Sequence, residues 1–186
     1  MNTHNSLKVV ILDRDGVINR DSDDFIKSAD EWHPIPGSLE AIARLSHAGY
    51  RVVVATNQSG IARGLFTIET LNGIHQKLHD QLARVGGQID FIGFCPHGPD
   101  DGCECRKPKP GLFHQIGSRL NISLRGVPAI GDSLRDLLAA HEAGATPILV
   151  RSGKGRNTEQ ALEKKSGFDT IPVFDDLSGA VDALLT

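Results

Sequence analysis

Short, wholly apolar runs alternate with stretches of helical periodicity along almost the whole chain. Val9–Leu12 (VVIL) reads as a buried strand that runs straight into Asp13. Residues 36–48 carry Leu39, Ile42, Ala43 and Leu45 at helical spacing and meet a stop at Gly49. Residues 52–55 (VVVA) predict a second buried strand. Thr67 is placed to cap a long amphipathic helix with Ile68, Leu71, Ile74, Leu78, Leu82 and Val85 on one face. A third strand is expected over 89–94, a helix over Gly111–Leu120, a strand over 127–130 and a helix over 134–143. A strand over 147–150, a helix over 158–165, a strand over 171–174 and a helix over Leu177–Leu185 complete the series.

Strands alternating with helices predict βαβ units: an α/β, Rossmann-like, doubly wound and mainly parallel sheet covered on both faces. The length of 186 residues corresponds to one domain, residues 1–186. Two irregular regions, 16–35 and 95–110, are longer than ordinary βα loops, which marks them as functional or metal-stapled. Neither is large enough to be a separate cap domain.

In open α/β sheets, ligands sit outside the carboxyl ends of the strands. Asp13 and Asp15 follow the first strand, Thr56 and Asn57 the second, and Asp132 the strand before Ser133. Lys107 lies in the loop after the third strand. Asp13-Arg14-Asp15-Gly16 places two carboxylates where a buried strand ends. The first can be a nucleophile or metal ligand, and the second a general acid and base. Taken alone, this tetrad is equally a solvated turn. Thr56 and Asn57 alone read as capping and turn chemistry, and Arg106–Lys109 alone as a solvated basic loop. Asp132 is placed to hold Mg²⁺ with Asp13, because Mg²⁺ takes one or two carboxylates plus phosphate oxygens and waters. Asp136 is read as capping the helix or bracing the site.

All three cysteines fall within eleven positions, as Cys95-Pro-His97 and Cys103-Glu-Cys105. Three thiolates and an imidazole form a closed tetrahedral set of the kind structural Zn²⁺ prefers. Such a metal would pin a loop with no core of its own and fix where Arg106 and Lys107 point. The other histidines are scattered and read as surface or core fillers.

The order of these segments resembles the haloacid dehalogenase-like phosphohydrolases, whose four motifs are all present between Asp13 and Asp136. By that resemblance, Asp13 is the nucleophile and Asp15 the general acid and base. Thr56 and Lys107 steady the phosphoryl group, with Lys109 as the alternative to Lys107. Asp13, the Asp15 backbone carbonyl and Asp132 hold Mg²⁺. The Cys/His loop followed by Arg-Lys-Pro narrows the resemblance to the D-glycero-D-manno-heptose 1,7-bisphosphate 7-phosphatases and the related histidinol-phosphate phosphatases. DRDGVIN, TNQSGIARGLFT and VRSGKG lean toward the former. The implied substrate is a small phosphorylated sugar in the pathway to lipopolysaccharide-core heptose. Its contacts are Asp21, Ser22, Asp23, Asp24, Thr56, Asn57, Gln58, Ser59, Arg106, Lys107 and Ser133. Arg106 suits a second phosphate, since its planar fork matches phosphate oxygens.

Three other readings compete. Histidinol phosphate carries a cationic amine, which Asp21, Asp23 and Asp24 would favour. A polynucleotide 3′-phosphatase shares Asp-x-Asp-Gly and Thr-Asn-Gln. A zinc-stapled interaction module with an inactive site would show a broken motif, and none is broken. Net charge is −3, with one Trp and one Tyr, which disfavours a nucleic-acid groove. No apolar run approaches a membrane span or a secretory segment, so a cytoplasmic protein is expected, and no spare apolar helix face stands out, so a monomer is expected.

Overall fold

The computed structural model describes residues 7–163, 167–168 and 170–186. Six strands form one parallel sheet in the order β3-β2-β1-β4-β5-β6. They are β1 (Val9–Leu12), β2 (Arg51–Asn57), β3 (Phe91–Cys95), β4 (Pro128–Gly131), β5 (Thr146–Val150) and β6 (Val173–Phe174). The helices are α1 (Ser38–His47), α2 (Ile68–Arg84), α3 (Gly111–Leu120), α4 (Leu134–Glu142), α5 (Gly155–Leu162) and α6 (Leu177–Leu185).

Strand β1 is apolar on both faces because both are covered. Val10 and Leu12 join Val52 and Val54 in a core with α1, α2 and α6. Val9 and Ile11 join Val53 and Ala55 in a second core with α3 and α4. This is the period of two expected of a doubly covered sheet. Helix α1 stops at Gly49 as the sequence predicts: φ is 81° there, and the Tyr50 N–H turns back to the Leu45 carbonyl. Thr67 caps α2, its hydroxyl accepting from the Thr70 N–H.

Several expected boundaries move. Strand β3 begins at Phe91: the Asp90 N–H still bonds the Val52 carbonyl, but the Val52 N–H and Arg51 are taken by the Asp90 carboxylate, where a further strand residue would place a carbonyl. Helix α5 begins at Gly155, ahead of the expected Thr158; the Thr158 hydroxyl sits inside its first turn, bonded to the Lys154 and Asp132 carbonyls. The expected continuation to residue 165 lies outside the described residues, as does His4. Ile68, placed on the apolar face of α2, is 47% exposed as the first residue of that helix.

The region 16–35 packs into the first of these cores, beside Val10 and Leu12. Val17, Ile18, Ile26 and Trp32 are buried, and α2 ties the segment down through Lys77 Nζ, which donates to the Ala29 and Trp32 carbonyls. Among the described residues no segment forms a separate cap, and no helix is long and apolar enough to cross a membrane.

Candidate active site

The chain leaves β1 for β2 and β3 on one side, then returns to β4 on the other. The crevice between β1 and β4 is therefore the topological switch point, where such sheets bind ligands. The Asp13 N–H still bonds the Ile130 carbonyl, so Asp13 and Asp132 leave neighbouring strand ends side by side.

Lys107 reaches this point from the loop after β3. Its ammonium is buried and donates to Asp13 Oδ1 at 2.9 Å and to the Ala55 carbonyl at 2.7 Å, and it pairs with Asp136 at 2.6 Å. Two reciprocal bonds with Asn57 clamp the Lys107 backbone to the end of β2. Lys109 is exposed and pairs with Glu104, so Lys107 is the cation at the site. Asp136 serves both expected roles, since it also closes a capping box with Ser133, whose hydroxyl it holds at 2.6 Å.

Asp15 is gripped from three sides. Arg14, fully buried, donates from Nε and from a terminal nitrogen to its carboxylate. Asn19 and Gln58 each donate at 2.9 Å, and Gln58 also donates to the Thr56 hydroxyl. Burial alone would raise the Asp15 pKa, but the Arg14 charge and these hydrogen bonds outweigh it and hold it below the usual carboxylate range.

Asp13 and Asp132 behave oppositely. Burial, then the neighbouring Asp136 charge, raises Asp13 to about 7; burial, Asp136 and Asp13 raise Asp132 to about 8. Four carboxylates (Asp13, Asp15, Asp132, Asp136) face two buried cations, Arg14 and Lys107. The excess negative charge fits a divalent cation. Asp13, Asp132 and Asp136 bring one carboxylate oxygen each within 4.8 Å of one another, although Asp136 is already engaged by Lys107 and Ser133.

Sequence reading missed how Asp132 is cradled. The Lys154 N–H donates to its Oδ2 at 2.7 Å, and the Thr158 hydroxyl donates to its backbone carbonyl. Gly16 (φ 85°) and Gly153 (φ 56°) flank its carboxylate; a Cβ on either would lie 2.1 Å from Oδ2. The Ser152 hydroxyl ties the two loops together by donating to the Gly16 carbonyl. The signal was the Ser152-Gly153-Lys154 stretch, which the sequence offers only as part of a family resemblance until β5 is seen beside β4.

A cavity of about 320 Å³ opens over these groups. Asp13, Asp15, Asp21, Ser22, Asp23, Thr56, Asn57, Gln58, Ser59, Arg106, Lys107, Asp132 and Ser133 all line it. Asp24 does not; it is exposed at the loop tip, its carbonyl accepting from Lys27. Lys154 Nζ pairs with both Asp21 and Asp23 at 3.1 Å. Arg63, Arg135 and Phe25 also line the cavity and were not anticipated.

The Cys/His cluster assembles beside it. Cys95 ends β3 and is buried; His97 Nδ1 lies 3.3 Å from Cys105 Sγ, and Cys95 Sγ lies 3.2 Å from Cys105 Sγ and 3.7 Å from Cys103 Sγ. Four ligands about 2.3 Å from a common tetrahedral centre stand about 3.8 Å apart, close to this spacing. Arg106 follows and donates to the His97 carbonyl.

The chain matches two family models: HAD-hydrolase-like over residues 104–180 and polynucleotide kinase 3 phosphatase over residues 8–130. The second span contains both the DRDG and TNQ segments. A D-glycero-beta-D-manno-heptose-1,7-bisphosphate 7-phosphatase from Bordetella bronchiseptica is 56% identical, covering 96% of this chain and 98% of its own. Its namesake from Pseudomonas aeruginosa is 53% identical over 97% and 99%. Among solved structures, D,D-heptose 1,7-bisphosphate phosphatase from B. bronchiseptica, complexed with magnesium and phosphate, has a TM-score of 0.92 at 56% identity, covering 96% of this chain and 98% of its own.

Proposed function

The chain belongs to the D-glycero-beta-D-manno-heptose-1,7-bisphosphate 7-phosphatase family of HAD-like hydrolases, and on that premise we propose that it removes the 7-phosphate of that β-anomeric sugar. The observation that carries this reading is the unbroken set of Asp13, Asp15, Thr56, Lys107 and Asp132 around one cavity, in a chain so close to relatives of that name.

In this reading Asp13, Asp132 and the Asp15 backbone carbonyl hold Mg²⁺, which when bound offsets the excess carboxylate charge and the charge of the phosphoryl oxygens. The buried Lys107 ammonium and the Thr56 hydroxyl steady the same oxygens. An Asp13 carboxylate oxygen attacks phosphorus as the bond to the C7 oxygen breaks. The leaving oxygen takes a proton from Asp15. Arg14 keeps Asp15 ionised in the free site, and an arriving phosphate dianion shifts it toward the acid form by like-charge repulsion. Asp15 then accepts a proton from water as that water attacks the aspartyl-phosphate, which releases inorganic phosphate and restores Asp13.

Cys95, His97, Cys103 and Cys105 are assigned to structural Zn²⁺. Burial pushes the Cys95 thiol up to about 12, so metal binding must displace its proton. Thiols kept reduced for a metal suit the cytoplasm.

Histidinol phosphate is the second reading, and the charges disfavour it. Lys154 already pairs with Asp21 and Asp23, which halves the charge of the two carboxylates that the acidic loop turns to the cavity and so weakens its pull on a substrate amine. The test is kcat/KM with Mg²⁺ for the heptose bisphosphate against histidinol phosphate. A preference of a hundredfold or more for the bisphosphate is expected, about 2.7 kcal/mol of differential transition-state binding. A preference for histidinol phosphate would overturn the substrate while leaving the chemistry.

A further inference from the structure

The Cys/His cluster holds every thiol of the chain, and the hydrolytic chemistry uses none of them. Its three sulfurs are not equally accessible. Cys95 is buried at the end of β3. Cys105 is half-buried and packs against the core that contains Leu112 and Phe113. Cys103 is half-buried too, but among the described residues it belongs to neither core of the sheet. It stands between the exposed Gly102 and Glu104, and Gly102 faces open space. Solvent therefore meets the cluster at Cys103. Cys95 is the thiol that both others touch, 3.2 Å from Cys105 Sγ and 3.7 Å from Cys103 Sγ. A disulfide brings two sulfurs to about 2.05 Å, so closing the Cys95–Cys103 pair needs only a short movement of the exposed strand of the loop.

The same cluster is wired to the catalytic residues through the backbone. The Cys95 carbonyl accepts from the Gln58 N–H at 2.7 Å, and the Gln58 side chain donates to Asp15 and to the Thr56 hydroxyl. Arg106 donates to the His97 carbonyl, and Lys107, two residues beyond Cys105, carries the ammonium that bonds Asp13. A change in how the cluster is joined is thus a change in where Lys107 is held.

We propose that Cys103 is an oxidant-sensitive modification site, at which a peroxide installs a Cys95–Cys103 disulfide that releases the loop's metal and weakens the hold on Lys107. The inference rests on the structural zinc reading above. Thiolates held by a metal are already deprotonated, which is the form that reacts with peroxide. The Cys103 sulfur takes one oxygen from hydrogen peroxide; the O–O bond breaks, hydroxide leaves and a sulfenic acid forms. The Cys95 thiolate attacks that sulfur; the S–S bond forms, the S–O bond breaks and a second hydroxide leaves. Two protons from solvent convert both hydroxides to water. The peroxide gains the two electrons that the thiol pair loses. His97 and Cys105 then remain, two donors where a structural site uses four. Thiol–disulfide exchange with a cellular dithiol reverses the change, as suits a bond formed transiently in a reducing compartment.

The test treats the purified zinc-loaded enzyme with hydrogen peroxide until zinc release stops. Zinc is followed with a chromogenic chelator, the disulfide by mass spectrometry of non-reduced peptides, and activity as kcat/KM for p-nitrophenyl phosphate with Mg²⁺. Met1 is the chain's one other sulfur-bearing residue, so few other groups compete for the oxidant. The expected result is stoichiometric zinc release, a Cys95–Cys103 disulfide and a fall in kcat/KM of at least about fivefold, since Lys107 loses its hold on the phosphoryl oxygens. Dithiothreitol with added zinc should restore both metal and activity. Retained zinc, a disulfide that omits Cys103, a smaller loss of activity, or a loss that reduction and zinc do not reverse would each overturn the inference. Purified enzyme that holds no zinc before treatment, even when supplied with it, would instead overturn the metal assignment on which it rests.

Discussion

Asp15 owes its charge state to the side chain immediately before it. Arg14 is fully buried, donates from two nitrogens to Asp15, and turns its remaining nitrogen toward His75 Nε2 at 3.4 Å. Burial, then the Arg14 charge, lowers the His75 pKa to about 3, so a neutral imidazole faces the guanidinium as acceptor. Arg14→Leu strands the Asp15 carboxylate. It should cost about 3–5 kcal/mol in urea unfolding and move the limb of the kcat/KM profile that reports Asp15 to higher pH, since the Arg14 charge that lowers its pKa is gone; a profile with neither limb moved would remove Arg14 from the account. Asp13 and Asp132 give a second prediction. Their folded-state pKa values of about 7 and 8 lie above the ordinary 3.8. Without metal, these groups bind protons in the folded state that the unfolded state has lost, so their contribution to stability falls as pH rises from about 4 to 8. Mg²⁺ binds the ionised forms, so its gain in Tm should be larger at pH 8.5 than at pH 6. Equal gains would contradict the assignment. Asp13, Asp15 and Asp132 were legible from their order at successive strand ends and the family that this order resembles, since each taken alone reads equally as turn or capping chemistry. Arg14 was not, since between two aspartates it reads as a spacer.

The elements that aim these residues lie far from them in sequence. Asp132 follows β4, yet its carboxylate is held by Gly16 after β1 and by Gly153 and Lys154 after β5. Gly153→Ala introduces a Cβ into that carboxylate at a φ that disfavours it. The expected result is at least tenfold weaker Mg²⁺ affinity by titration, with unchanged affinity contradicting the cradle. The Cys/His loop is a second such device, since it joins the end of β3 to Arg106 and Lys107. Cys103→Ser should lose the bound zinc, measured by metal analysis, lower Tm by several degrees and raise KM. Retention of stoichiometric zinc would show that Cys103 is not a ligand. Strand and helix types were legible throughout because the periodicities are clean. The ends were less so: Asp90 and Thr158 spend their side chains on neighbouring backbone, which a one-dimensional pattern does not register.

At the scale of the whole molecule, the strand order β3-β2-β1-β4-β5-β6 gathers residues from 13 to 154 into one crevice. Alternation of strands and helices implies such a crevice, so the convergence of Asp13, Asp15, Thr56, Lys107 and Asp132 was readable in advance. That of Arg63 and Arg135 was not. The net charge of −3 averages over the chain, while Arg63 and Arg135 stand on segments whose convergence only the fold reveals. The most direct test follows D-glycero-β-D-manno-heptose 1,7-bisphosphate by phosphorus NMR, with Mg²⁺, in the wild type and in Asp13→Asn. The account predicts that the wild type releases the C7 phosphate and leaves the C1 phosphate in place, and that Asp13→Asn releases neither. Loss of the C1 phosphate, or turnover by Asp13→Asn at more than a tenth of the wild-type rate, would contradict it.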